Sequence, residues 1–289
     1  MGRAALAVAL FLFVGALACA QSAAELISQA EDLLPTRYLP ENLTSAIDLY
    51  ERALALQPGR ADFMTQLAQL HYELGIISED VKTKRREFRR GADLGFTALG
   101  FAGLSGAEEA KAEEFAARVS ESENVAALYW TAKCWGMLVD TGGLMAQLGA
   151  LTSGMPAKVR ALYLAAIKLD ETYFGGGPHE DYGALLVNFA KFHLYGATLE
   201  EAKAHFDRAI EIASGAGYLI PFVTYAEQYA VRAGDRALFE GLLRHVLQAP
   251  IGDWPFWNRI AKDKAQELLS RADRLFPCLL YTSPSPRDL

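Results

Sequence analysis

Cysteine is nearly absent from this chain. Its 289 residues hold three, Cys19, Cys134 and Cys278. The first and last fall in terminal stretches that read as leader and tail. Cys134 then stands alone, no intramolecular disulfide can form, and core packing has to supply the stability. Strand signals are equally scarce. Sustained alternation of apolar and polar residues is hard to find, which argues against a sandwich or barrel. The apolar run at the N-terminus, Ala4 to Val14, is too short to span a bilayer. Positive charge is in deficit: the net charge is −7, or −8 once Arg3 is set aside. An acidic chain is a poor candidate for binding nucleic acid or anionic lipid headgroups. Patterns that carry chemistry are missing too. No histidine has trustworthy spacing to a carboxylate, no nucleophile constellation stands out, and the acids of Glu108–Glu114 look like an ordinary helix surface.

Both ends are set aside before the fold is read. Met1 to Ala20 has one cation, Arg3, then the apolar run, then small residues, the pattern of a secretory signal. Ala18-Cys19-Ala20 before Gln21 suits ordinary signal peptidase, and Ala16-Leu17-Ala18 before Cys19 is an imperfect lipobox. Under the second reading Cys19 is a lipid anchor; under the first it is an incidental residue lost with the signal. At the other end, Cys278-Leu-Leu-Tyr-Thr-Ser-Pro-Ser-Pro-Arg-Asp288 reads as a translated sequencing adapter or cloning scar. The expected organisation is a signal peptide over 1–20, an all-helical repeat domain over 21–276 and a non-native tail over 277–289.

What the chain does have is one helix written three times. Ala46–Gln57, Val159–Asp170 and Ala202–Ala213 each place an aromatic residue three positions before an alanine, with an aliphatic residue straight after it: Tyr50/Ala53/Leu54, Tyr163/Ala166/Ile167 and Phe206/Ala209/Ile210. Positions three and four apart share a helix face, so the alanine admits a neighbouring helix and the aromatic fills the groove beside it. This is the second-helix pattern of tetratricopeptide-type repeats, and it points to a binding scaffold. The spacing between copies is 113 residues and then 43, against a standard period of about 34, so the repeats are degenerate.

Apolar spacing of three and four predicts helices near 22–34, 42–56, 60–74, 77–94, 107–117, 121–138, 140–151, 156–169, 179–194, 199–213, 218–232, 235–248 and 255–275. Pro58-Gly59 and Gly75 read as helix ends, Gly196 and Gly234 as turn residues, and Thr198-Leu-Glu-Glu201 as a capping box. Leu94 to Gly106, rich in glycine and small apolar residues, reads as an interrupted helix or a packed loop. The fold class is all-α: a right-handed stack of antiparallel helix pairs, a degenerate tetratricopeptide-like superhelix.

Three local stretches invite a functional reading. Ala126 to Leu138 concentrates Tyr129, Trp130, Trp135 and Met137 on one helix, either as the wall of an apolar ligand cavity or as ordinary core. Gly175-Gly-Gly-Pro178-His179 lacks the Lys and Ser/Thr of a phosphate loop; three glycines permit a tight turn, and Pro178 suits the first position of the next helix. Tyr173, His179 and Tyr182 flank that turn and join the cavity candidates. His179, Glu180 and Asp181 are adjacent in sequence, so they cannot chelate one metal from a single helical face, and neither a metal nor a cofactor is expected. Lys82 to Arg90 packs six cations into nine residues. It reads as a solvated face, or as a contact for an acidic partner or headgroups, with Val81 and Phe88 turned to the core.

Taken in order, Leu128-Tyr-Trp-Thr-Ala-Lys-Cys-Trp-Gly136, Met155-Pro-Ala-Lys-Val-Arg-Ala-Leu162, Leu169-Asp-Glu-Thr-Tyr-Phe174 with the glycine turn, Val223–Val231, Asp235–Leu243 and Ala261–Phe276 resemble the T component of the TRAP transporters, the TatT family. The likeness is good over Glu123 to Phe276 and loose before it. It implies an envelope-located, often lipid-anchored, all-helical protein that forms a trimer with the periplasmic solute-binding protein. It further implies a non-enzymatic accessory role, docking that protein and helping hand over a small apolar or organic-acid ligand. The imperfect lipobox and Tyr195-Gly196-Ala197, where a Gly-Gly turn is usual, depart from the pattern. The alternatives are a general envelope-assembly scaffold and, remotely, an exported hydrolase.

Overall fold

The computed structural model describes residues 21–277, and every described element is helical. Residues 1–20, where a signal peptide and the anchor candidate Cys19 are expected, and the residues after Pro277 lie outside the described residues. Fourteen helices follow one another: α1 (Ala23–Leu33), α2 (Pro40–Leu56), α3 (Ala61–Ile77), α4 (Val81–Ala98), α5 (Gly103–Glu109), α6 (Ala112–Ser120), α7 (Val125–Asp140), α8 (Gly143–Thr152), α9 (Met155–Leu169), α10 (Tyr173–Lys191), α11 (Leu199–Ala216), α12, α13 (Arg236–Gln248) and α14 (Pro255–Ser270), with a last turn at Ala272–Leu275. The twelfth helix is composite. It starts as Ile220–Thr224, widens to a π-helical stretch over Tyr225–Ala230 and ends as Val231–Ala233.

Local sequence explains most of the boundaries. Ser22 and Glu25 form a reciprocal capping box at the head of α1. Asp80, Asn124, Thr198 and Asp235 accept backbone N–H bonds at the heads of α4, α7, α11 and α13. At α11 only the Thr198 half of the expected box forms. Gly217 and Gly234, with φ of 66° and 70°, close α11 and α12. Three expectations fail. Gly75 does not end a helix but lies inside α3, where a Cβ would press on the Phe88 ring. The helix expected over 107–117 is split into α5 and α6 at Ala110-Lys111. Val81 is 56% exposed rather than turned inward, because capping by Asp80 starts the helix there and sets Phe88 and Glu87 as its buried pair.

Successive helices pack as neighbours, α1 on α2, α2 on α3 and α3 on α4, and again α9 on α10 and α10 on α11. The alanine seams lie where the sequence puts them. Ala53, Ala166, Ala209 and Phe206 are fully buried, Tyr50 and Tyr163 are buried nearly as deeply, and the Phe206 ring stacks on Tyr225 at 4.9 Å. Helix α7 is central and touches α3, α4, α9 and α10. Gly91 and Gly95 of α4 let it close on Cys134 and Thr131 of α7, since any side chain there would collide with them. The two ends of the described chain meet. The turn after α1 packs on α14, where Arg259 lies 4.6 Å over the Tyr38 ring and Arg37 lies 5.7 Å over Phe256.

Candidate functional site

The meeting of early, middle and late helices creates an aromatic hub. Phe174, at the start of α10, is its centre. Six rings surround it: Trp130 at 4.8 Å, Trp254 at 4.9 Å, Tyr218 at 5.5 Å, Trp257 at 5.8 Å, and Tyr129 and Tyr173 at 6.0 Å. Tyr72 of α3 completes it, 5.6 Å from Trp130 and 6.1 Å from Trp257. Most pairs are tilted or edge-to-face, the arrangement ring quadrupoles favour. The backbone is bent to place Phe174 there. Its φ is 50°, followed by 65° at Gly175 and 86° at Gly176. A non-glycine residue in that region costs about 1–3 kcal/mol, which the ring contacts have to offset. The glycines that follow are required by contact as well as by φ. A Cβ at Gly175 would come 2.9 Å from Tyr218, and one at Gly177 would strike the Tyr129 hydroxyl.

The hub carries polar atoms of two kinds. Some are satisfied: Trp130 Nε1 donates to the Tyr173 hydroxyl at 3.0 Å, and Trp254 Nε1 to the Ala216 carbonyl at 2.9 Å. Others are buried without a hydrogen-bond partner among the described residues: the Tyr129 hydroxyl, Trp257 Nε1 and, at the hub's border, Glu180 Oε2. Such atoms are uncommon in folded proteins, because each forfeits its hydration.

A charged cluster borders the rings on α7 and α10. Lys133 Nζ donates to both Asp181 oxygens, at 2.7 and 3.0 Å, and lies 5.1 and 5.3 Å over the rings of Tyr72 and Tyr129. Burial opposes charge on Lys133, but the facing carboxylate overcomes it and the ammonium pKa is raised. Neighbouring Glu180 is buried, accepts from the Thr224 hydroxyl at 2.7 Å, and is pushed up to about 7 by burial and then by Asp181. At the residue before Glu180, His179 Nδ1 lies 2.8 Å from His205 Nδ1 of α11, one ring donating to the other. His179 Nε2 donates to Glu171, which Arg208 also holds at 2.6 Å. Burial and then His179 depress His205 to about 4, and Arg208 and then His179 hold Glu171 at about 2.

The expected cavity residues separate into three groups. Tyr129, Trp130 and Tyr173 belong to the hub. His179 and Tyr182 face α11, where Tyr182 meets the His205 ring edge-on at 4.7 Å and accepts a hydrogen bond from Arg160. Trp135 turns to a second cluster, 5.0 Å from Phe96 and 6.3 Å from Phe115, and Met137 is half-buried against the core. Cys134 is fully buried, its thiol donating weakly to the Ala68 carbonyl, and burial pushes its pKa up. Several participants carried no sequence signal. Phe174 sits in a glycine-rich turn, Tyr72, Tyr218, Trp254 and Trp257 are far away in the chain, and Lys133 and Asp181 are 48 positions apart. His71 and Glu87, 2.7 Å apart and buried, were missed for the same reason. The aromatic pair followed directly by three glycines in Tyr173–Gly177 was the one available hint.

Residues 41–276 match the family model described as TRAP transporter T-component. The chain belongs to this family. Comparison with curated proteins gives no match. A T-component is an accessory part of a transporter, and the family is not a known family of enzymes. As a transporter component it is envelope-associated, and among the described residues no helix is long and apolar enough to cross a membrane. The match includes the hub from Tyr72 to Trp257, so the bent start of α10 lies within what the family model describes.

Proposed function

We propose that this T-component docks the periplasmic solute-binding protein of a TRAP-type transporter and helps pass on a small apolar or organic-acid ligand. The reading is supported by family membership together with one observation: the hub joins rings from four helices and two connecting segments, and three buried polar atoms in and beside it have no hydrogen-bond partner among the described residues. Rings offer apolar surface, and the Tyr129 hydroxyl and Trp257 Nε1 are donors of the kind that orient a carboxylate. Tyr129, Trp130 and Tyr173 line the ligand region, with His179 and Tyr182 at its outer side and Trp135 and Met137 on other faces of α7. The protein works in the periplasm as a trimer, tethered through Cys19 when that residue is acylated.

A second reading, a general tetratricopeptide-type envelope scaffold, is favoured by the buried seams at Tyr50, Tyr163 and Phe206. Capture of the mature protein from its host envelope, followed by mass spectrometry, separates the two. Recovery of a solute-binding protein and permease supports the transport reading; recovery of outer-membrane assembly factors alone overturns it. Palmitate labelling with and without Cys19→Ala decides the tether.

A further inference from the structure

Residues 141–157 contain no charged side chain, yet the helix they include lies on the surface. Ala150 is the one buried residue of α8. Leu144 is 69% exposed, Met145 79%, Leu148 48% and Leu151 42%. Phe192 and Tyr195, just past α10, are 55% and 50% exposed. These segments are contiguous: Leu144, Leu148, Leu151, Phe192, Leu194 and Lys191 line one groove of about 350 Å³. A connected apolar face of this kind marks an interaction surface.

The border of that face is cationic. Arg85 reaches the turn between α7 and α8, where any side chain at Gly142 would collide with its guanidinium. Lys82, Arg85 and Arg89 form a stripe on α4. With Lys84 and Lys191 they make no ion pair among the described residues, whereas Arg86 and Arg90 pair with Glu87 and Glu51. Four carboxylates lie near this region: Glu79, Asp80, which caps α4, Asp140, which lines the groove, and Glu108, which shares a pocket with Ala146 and Gly149 of α8. Cations therefore outnumber acids here, although the whole chain is acidic.

We propose that α8, the exit of α10 and the basic start of α4 form a seat for the surface of an anionic lipid bilayer. Leu144, Met145, Leu148 and Leu151 enter the boundary between headgroups and acyl chains, Phe192 and Tyr195 lie at headgroup level, and the unpaired cations meet phosphates. Against a protein partner these rim cations gain little beyond their hydration unless acids are placed opposite them. An anionic headgroup layer supplies counter-charge everywhere. The seat holds the protein at a membrane independently of any lipid on Cys19, and it leaves the hub free.

Vesicle flotation tests this with the full chain carrying Cys19→Ala, so that no acyl chain attaches there. Vesicles of phosphatidylethanolamine with about one-third phosphatidylglycerol should carry the protein, and pure phosphatidylcholine vesicles should not. Met145→Glu with Leu148→Glu should lower binding roughly tenfold or more with unchanged circular dichroism, since both side chains are exposed. Arg85→Ala and Arg89→Ala should each weaken it roughly fivefold and reduce its sensitivity to salt. The proposal is overturned if the chain does not float with anionic vesicles or floats equally well with Glu at 145 and 148. It is also overturned if those substitutions change the oligomer mass or the captured proteins instead, which would assign the face to a second copy or to a protein partner.

Discussion

At the residue scale, Glu180 is the most informative group in the site. Burial keeps it protonated to higher pH in the folded protein than in the unfolded chain, where the ordinary carboxylate value of 4.5 applies. Between that value and about 7 the folded state holds the extra proton, so its contribution is complete below the unfolded value and is lost as pH rises through the folded one. His205, depressed to about 4 by burial, slopes the other way, gaining stability as pH rises. The comparison that isolates Glu180 is therefore variant against wild type. Glu180→Gln should gain stability relative to wild type as pH rises from about 4 to 8. Parallel melting curves across that range would mean that the carboxyl titrates normally. The tryptophans give a second test. Trp135→Ala, within the Phe96–Phe115 cluster, should cost about 3–5 kcal/mol and leave binding of an apolar fluorescent probe unchanged. Trp130→Ala should alter probe binding if the hub receives ligand. Absence of probe binding in the wild type, with large losses at both positions, would reduce the hub to packing and leave docking as the function.

At the scale of elements, the alanine seams do the positioning. Ala209 is fully buried, and its carbonyl lies against Gly176, so the α10–α11 seam fixes the bend that delivers Phe174. Ala166→Leu and Ala209→Leu should each destabilise by roughly 1–3 kcal/mol through overpacking. The Ala209 change should also alter near-ultraviolet circular dichroism, because it displaces the hub. Neutral urea melts for both variants would show that these faces are not seams. Helix α8 is the opposite case. It is as apolar as a core helix but has no seam, and its placement follows from the turns at Gly142-Gly143 and Gly154 rather than from packing.

For the molecule as a whole, closure between its two ends matters most. Arg37 reaches Glu73, whose side chain is fully buried, at 2.8 Å, beside the contacts to α14. Removing the guanidinium leaves a buried carboxylate with only Gln69 donating to it. Arg37→Ala should cost roughly 3 kcal/mol, and unfolding should remain a single transition because the hub ties early, middle and late helices together. Two separated transitions would mean that the halves fold independently.

The sequence by itself determined the helices, the seams and the family. These rest on local information: a period of 3.6, capping residues within one turn, and the aromatic-alanine register at Tyr50, Tyr163 and Phe206. Each is set by side chains three or four residues apart, so one segment carries its own answer. The sequence also placed Tyr129, Trp130 and Tyr173 in the candidate site, because aromatic density on one helix is visible without a fold. The tertiary structure alone decided that Trp135 points elsewhere, that Phe174 is the centre, and that Trp254 and Trp257 join it from the other end of the chain. It alone paired the buried Lys133 with the partly buried Asp181 and brought Arg85 and Lys191 beside α8 in a chain whose net charge is −7. The physical reason is the same in each case. Ring contacts, desolvation and charge segregation depend on distances through space between residues tens to hundreds of positions apart, and neither periodicity nor a sum of charges contains those distances.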